Sequence, residues 1–127
     1  MQTYFFSAAA ICVLVGIVHS LLGERLVFKK LRRHGIVPNE AAPPLQSRNI
    51  RILWATWHLA SVFGLGFAAI LFSAAEGKTS LDSFAISAII LAFLSGSALV
   101  FIATKGKHPG WIGLLAVAVL VYLGSAG

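Results

Sequence analysis

Charge is what this sequence has least of. Only 11% of its 127 residues are charged, and just four of those are acidic: Glu24, Glu40, Glu76 and Asp82. A soluble domain carries roughly 25% charged residues, so the chain lacks the polar surface needed to face water on all sides. Cysteine is nearly absent too. Cys12 stands alone, which excludes an intrachain disulfide and a cysteine-based zinc site. Its position inside an apolar run is that of a small packed residue. What fills the chain instead is hydrocarbon, with 58% hydrophobic residues and a mean hydropathy of +0.89. Ten Lys and Arg give a net charge of +6. In a soluble protein that excess would favour nucleic acid; here the placement of the charges points to a membrane surface, and no nucleic-acid partner is expected.

A hydrocarbon layer about 30 Å thick takes about 20 apolar residues of helix. Four stretches are expected to cross it, at about 3–22, 51–73, 82–104 and 110–125, none with a Lys, Arg, Asp or Glu in its interior. Backbone groups in lipid must pair within their own segment, so helices are the economical solution. The expected fold is therefore all-α, a single antiparallel four-transmembrane-helix domain over residues 1–127. The fourth stretch is short, with Trp111 and Tyr122 suited to an aromatic belt near its ends. The first lacks a basic leader and a cleavage site, and reads as a retained span. Between spans, Gly77 suits a helix end, Thr79-x-x-Asp82 reads as a capping box, and Pro109 suits the first turn of the last span. The basic connection at about 25–50 is longer. Arg25 to Arg33 is expected to extend the first helix into the cytoplasm until Gly35, after which Pro38, Pro43 and Pro44 keep the chain irregular.

Orientation follows from counting positive charges. The first connection and the start of the second span hold Arg25, Lys29, Lys30, Arg32, Arg33, Arg48 and Arg51, and the third connection adds Lys105 and Lys107. The second connection holds only Lys78. Connections one and three share a side, so nine of ten positive charges lie together. The positive-inside rule makes that side cytoplasmic and both termini external. So strong a bias sets the chain apart from small multidrug resistance transporters and fluoride channels, which it resembles in length and span count only.

Ionisable groups within a span are costly and mark functional candidates. His19 and His58 qualify, lying about 9 Å and about 10.5 Å along their helices from Arg25 and Arg51. In antiparallel helices the two imidazoles reach nearly the same depth. Gly16 and Gly23 flank His19, where small residues let a neighbouring helix or a flat ligand approach closely. Ser20 and Glu24 form an i,i+4 pair on another face of that helix. Arg51, Trp54, His58 and Ser61 fall along one stripe with Trp57 beside it, and such a stripe belongs in a protein interior. His108 and Trp111 add to the same end, while His34 in the basic connection suits a helix C-terminus.

These residues fit three kinds of site. A haem b site would take His19 and His58 as axial ligands, with Trp54 alongside and Arg51 or Arg48 on the propionates. A transition-metal or proton-handling site would use His19 and His58 with His108 or Glu24. Glu24 lies about 140° around the helix from His19, so local unwinding at Gly23 would be required. The third is a buried hydrogen-bond network in which Glu24 pairs with Arg51 and the histidines bond Ser or Trp. A histidine-based haem or metal site, with a redox or transport role, is the leading expectation. The rival is a non-catalytic membrane subunit or small transporter component, acting as a homo-oligomer or within a larger complex. Whether the protein is an enzyme stays open, since no nucleophile or paired carboxylate accompanies the histidines. Ser87, Ser95, Gly96 and Ser97 suit close helix packing. The interleaved basic and apolar residues of Arg25–Arg33 suit anionic lipid headgroups.

The runs His19-Ser20-Leu21-Leu22-Gly23-Glu24-Arg25, Arg51-Ile52-Leu53-Trp54-Ala55-Thr56-Trp57-His58 and His108-Pro109-Gly110-Trp111 resemble a pattern in small, uncharacterised bacterial four-transmembrane-helix inner-membrane proteins. The resemblance implies a multi-pass protein of the bacterial inner membrane and carries no activity with it.

Overall fold

Four α-helices account for most of the chain in a computed structural model that describes residues 1–126. They are α1 (Gln2–Leu26), α2 (Ser47–Ala75), α3 (Ser83–Thr104) and α4 (Gly110–Ala126), with a 3-10 turn at Phe28–Leu31. Among the described residues there is no strand; Ala42 and Leu45 form an isolated bridge. Three helices, α1, α2 and α3, are long and apolar enough to cross a membrane, whereas α4 is a shorter apolar helix of 17 residues. Apolar side chains cover their outer faces as well as their packed ones. Leu14, Leu91, Leu99 and Ile102 are among the large residues left exposed. Helices that are hydrophobic all round belong in a membrane or a large core.

The helix ends follow local rules. At the end of α2, Gly77 takes φ +72, Lys78 N donates to Ser73 O and Gly77 N to Ala74 O. That pair of bonds is a Schellman motif, as the glycine leads one to expect. The end of α3 repeats it with Lys105 in the left-handed position, Gly106 N bonding Phe101 O at 2.8 Å and Lys105 N bonding Ile102 O at 3.2 Å. At the start of α3 the cap is Asp82 itself, whose carboxylate accepts from Ala85 N at 2.7 Å. Thr79, expected to open the capping box, instead bonds Ser73 Oγ at 2.7 Å. The acidic side chain is the stronger cap because its charge also faces the positive end of the helix.

The chain divides into two compact units, one made of Met1–Val15 and the residues from Gly64 onward, the other of Gly16–Phe63. The first unit has a continuous core of Phe5, Ala8, Cys12, Leu71, Phe93 and Val117 with their neighbours. Its residues on α1 recur at positions 5, 8, 9 and 12, one face of a helix. Alanine and glycine set the spacing. A Cβ on Gly124 would stand 3.1 Å from the Phe5 ring, and one on Gly113 would stand 2.8 Å from Val15 Cγ2. Lipid is as apolar as these side chains, so close packing supplies the attraction. α3 and α4 pack together, and Ser97 Oγ donates to Trp111 O between them at 2.8 Å. Close packing was expected of Ser87 and Ser95 as well, but both are exposed, and Ser87 Oγ donates to Ser83 O of its own helix at 2.7 Å.

The second unit departs from expectation at the end of α1. The helix stops at Leu26 rather than running to Gly35; Val27 leaves the helix and the 3-10 turn follows. A straight helix would carry Arg32 about 12 Å beyond Glu24 along the axis. Folding back instead joins the Arg32 guanidinium to the Glu24 carboxylate and buries Phe28. Leu31 O then accepts from both Asn39 N and Glu40 N, at 3.0 and 3.1 Å, which fixes the return of the loop.

The core of the first unit makes a simple contrast. Ala8 is fully buried, and Ala8→Leu should cost about 1–3 kcal/mol through overpacking. Leu14, 61% exposed, should tolerate Leu14→Ala within about 0.5 kcal/mol. Thermal midpoints of the detergent-solubilised chain, followed by circular dichroism, check both.

Candidate functional site

The polar residues of the second unit converge on the ring of His58. Ser20 lies one turn before Glu24 on α1, so both side chains project on one face. On α2 the matching positions are Trp54, His58 and Ser61, as the expected stripe requires. Ser20 Oγ lies 2.9 Å from His58 Nδ1 and donates to Ser61 Oγ at 2.8 Å. On the other side of the ring, His58 Nε2 is 3.8 Å from Glu24 Oε2. Trp54 Nε1 also reaches that oxygen, at 3.4 Å. Glu24 Oε1 accepts from Arg32. Each carboxylate oxygen thus has a protein partner. The hydrogen bond that Arg32 donates to Glu24 raises the guanidinium above its ordinary value, so the arginine stays charged.

These bonds set the tautomer of His58. A hydroxyl has one proton to give. With Ser20's proton directed at Ser61, the Ser20–His58 bond takes Nδ1–H as its donor, an assignment made from the network. Nε2 is then the basic atom of the ring, and it faces a carboxylate. A second proton placed there would point at Glu24.

Aromatic rings enclose the site. Trp54 meets the His58 ring edge-on at 5.1 Å between centroids, and Phe28 lies 6.1 Å from it. Phe28 also meets Trp57 edge-on at 5.8 Å. Faces of Trp and Phe favour a neighbouring cation. His19 is held differently. Its ring stacks on the Trp57 indole at 4.5 Å with 5° between planes, and Trp57 Nε1 donates to His19 O at 3.0 Å. Gly23 makes this possible: a Cβ there would fall 2.0 Å from Trp57 Nε1. The gap that the glycine was expected to open for a flat ligand is filled by the protein's own indole.

Of the expected site residues, then, His19, His58, Glu24 and Trp54 all belong to this unit. Arg51 and Arg48 are exposed on α2, and Glu24 pairs with Arg32 rather than Arg51. The backward turn after Leu26 explains the change, because it returns Arg32 to Glu24. His108 belongs to the first unit, where its Nδ1 accepts from Gly110 N at 3.0 Å at the start of α4. His34 is exposed beside Gly35. Among the described residues, no group of three or more His, Cys, Asp or Glu side chains is placed to hold a metal ion. Sequence reasoning passed over Ser20, Phe28 and Arg32 as site residues. The i,i+4 spacing of Ser20 and Glu24 carried the signal for the first; the others depend on a turn that no motif announces.

The Gly23–Trp57 contact is open to a mutant cycle. Gly23→Ala should displace the indole and lower the thermal midpoint, with a red-shifted tryptophan emission as the ring meets a more polar environment. Trp57→Phe removes the atom nearest the added methyl, so Gly23→Ala combined with Trp57→Phe should cost less than the sum of the two changes. The expected coupling is about 0.5–3 kcal/mol.

No protein-family model matches the chain, and no curated protein or solved structure does so either.

Proposed function

We propose that the chain is a multi-pass protein of the bacterial inner membrane with four spans, both termini outside and residues 25–50 in the cytoplasm, and that it binds a proton at His58. The observation that carries the function is the ring's two-sided setting. Ser20 holds Nδ1 on one side, and on the other the Glu24 carboxylate awaits a proton on Nε2. Protonation turns that 3.8 Å contact into an ion pair, which a small side-chain shift would close to a charge-assisted hydrogen bond. The hydroxyl path ends at Ser61, which is buried, so the arrangement supports holding a proton better than conducting one. The role that fits is a proton-responsive membrane component, one whose first loop is tied to Glu24 through Arg32.

The haem and metal readings have less support. Axial ligation needs a ring nitrogen of each imidazole turned to one iron, whereas Nε2 of His58, the nitrogen left by the Ser20 bond, faces the Glu24 carboxylate. A metal would find His58 and Glu24 together without a third His, Cys, Asp or Glu beside them. The charge distribution supports the orientation, with nine of ten Lys and Arg in connections one and three.

Nitrogen NMR of imidazole-labelled protein tests the proton site directly. At high pH the neutral His58 ring should be protonated at Nδ1, and acidification should add the second proton at Nε2. Ser20→Ala should return the neutral ring to the Nε2–H form usual in water. A neutral wild-type ring already carrying its proton on Nε2 would defeat the proposal. So would a Soret band or stoichiometric metal in the native preparation that disappears in both His19→Ala and His58→Ala. Orientation has its own measurement. In intact cells, a membrane-impermeant maleimide should label Ser80→Cys and leave Asn39→Cys unlabelled until the membrane is opened.

A further inference from the structure

The second unit carries seven Lys and Arg but only two carboxylates, and the structure shows where those carboxylates are spent. Glu24 pairs with Arg32 and Glu40 with Arg33. Arg25, Lys29, Lys30, Arg48 and Arg51 remain, all exposed, and among the described residues none of them makes an ion pair. The segment that bears them is folded. Phe28 is 2% exposed against Trp57 and His58, which turns its neighbours Lys29 and Lys30 outward. The closing bonds from Asn39 and Glu40 to Leu31 O hold the turn in place. Aliphatic side chains lie exposed among these charges: Leu26, Val27, Ile36 and Val37, with Ile36 at 79%. Free cations mixed with exposed aliphatics, next to apolar helices, match one environment. It is the boundary between phospholipid headgroups and acyl chains.

We infer that this folded loop and the helix ends that flank it form a binding surface for the phosphodiester headgroups of anionic phospholipid, using the five unpaired cations and not Arg32 or Arg33. The internal ion pairs do the selecting. A cation already matched to a carboxylate offers little net field to a headgroup, while Lys29 and Lys30 each offer a full charge on a rigid base. The inference rests on the membrane-spanning reading and on the cytoplasmic position of residues 25–50, which the cysteine labelling tests independently; it does not depend on proton binding at His58.

The test uses the full chain in dodecyl maltoside, titrated with short-chain phosphatidylglycerol and followed by native mass spectrometry at fixed pH. Phosphatidylglycerol should bind, and phosphatidylcholine should bind at least tenfold more weakly. Inorganic phosphate at the same concentration should compete poorly, since it lacks the acyl chains that the exposed aliphatics would meet. Each lysine lost should weaken binding about fivefold, so Lys29→Gln with Lys30→Gln should cost about 25-fold. Arg48→Gln with Arg51→Gln provides a second pair on α2, away from the turn. Arg33→Gln with Glu40→Gln removes an ion pair at no change in net charge and should leave binding as it was. Lys78→Gln removes a charge from the first unit and should do the same. Equal uptake of phosphatidylcholine would overturn the inference, as would full competition by phosphate or undiminished binding in both cation pairs. A loss in Arg33→Gln/Glu40→Gln as large as that in Lys29→Gln/Lys30→Gln would overturn the assignment to the unpaired cations.

Discussion

Where α1 passes Trp57, the closeness of the two helices is decided by a missing atom. Gly23 has no Cβ, so the indole lies against the backbone of α1 and Trp57 Nε1 reaches His19 O. The polar contacts around His58 lie beside that approach. With the indole in place, Ser20 and Glu24 stand at the distance that His58 needs, one on each side of its ring. Phe28 closes over the same aromatic surface, which places the turn after Leu26. A methyl group at position 23 would therefore disturb a carbonyl, a stack and a carboxylate together.

The first unit is built on a different economy. Its helices are joined by small residues, and among the described residues Ser97 to Trp111 O is the side-chain bond that links α3 and α4. Its helix ends are satisfied by their own backbone in paired Schellman bonds or by an adjacent side chain such as Asp82. Apolar surface remains on the outside. Helices so apolar all round belong in a membrane or a large core. The polar contacts of Gly16–Phe63 contrast with it in composition as well as in geometry.

Much of this was legible in the sequence because the relevant rules are local. Long apolar runs mark α1, α2 and α3, the glycine at position 77 marks a helix end, and the stripe of Trp54, His58 and Ser61 marks the face of α2 that carries the site. What could not be read depends on pairings between distant residues. Nothing in the order Glu24 to Arg33 announces that the helix will stop at Leu26, because every residue there is compatible with helix. The stop is favoured by what it gains: an ion pair for Glu24 and a buried ring for Phe28. The pairing of Glu24 with Arg51 failed for the same reason, since Arg32 reaches the carboxylate only after the turn. His108 was grouped with the other histidines by topology alone, and its bond to Gly110 N gives it a local structural role instead.

Two of the chain's three tryptophans, Trp54 and Trp57, touch histidine rings, one edge-on and one face to face. An excited indole transfers an electron readily to an imidazolium and poorly to a neutral imidazole. The contacts that order the site therefore also make the protein its own optical indicator. A change of charge on either ring would be read in the ultraviolet emission, with no dye or label added, for as long as those rings stay in contact.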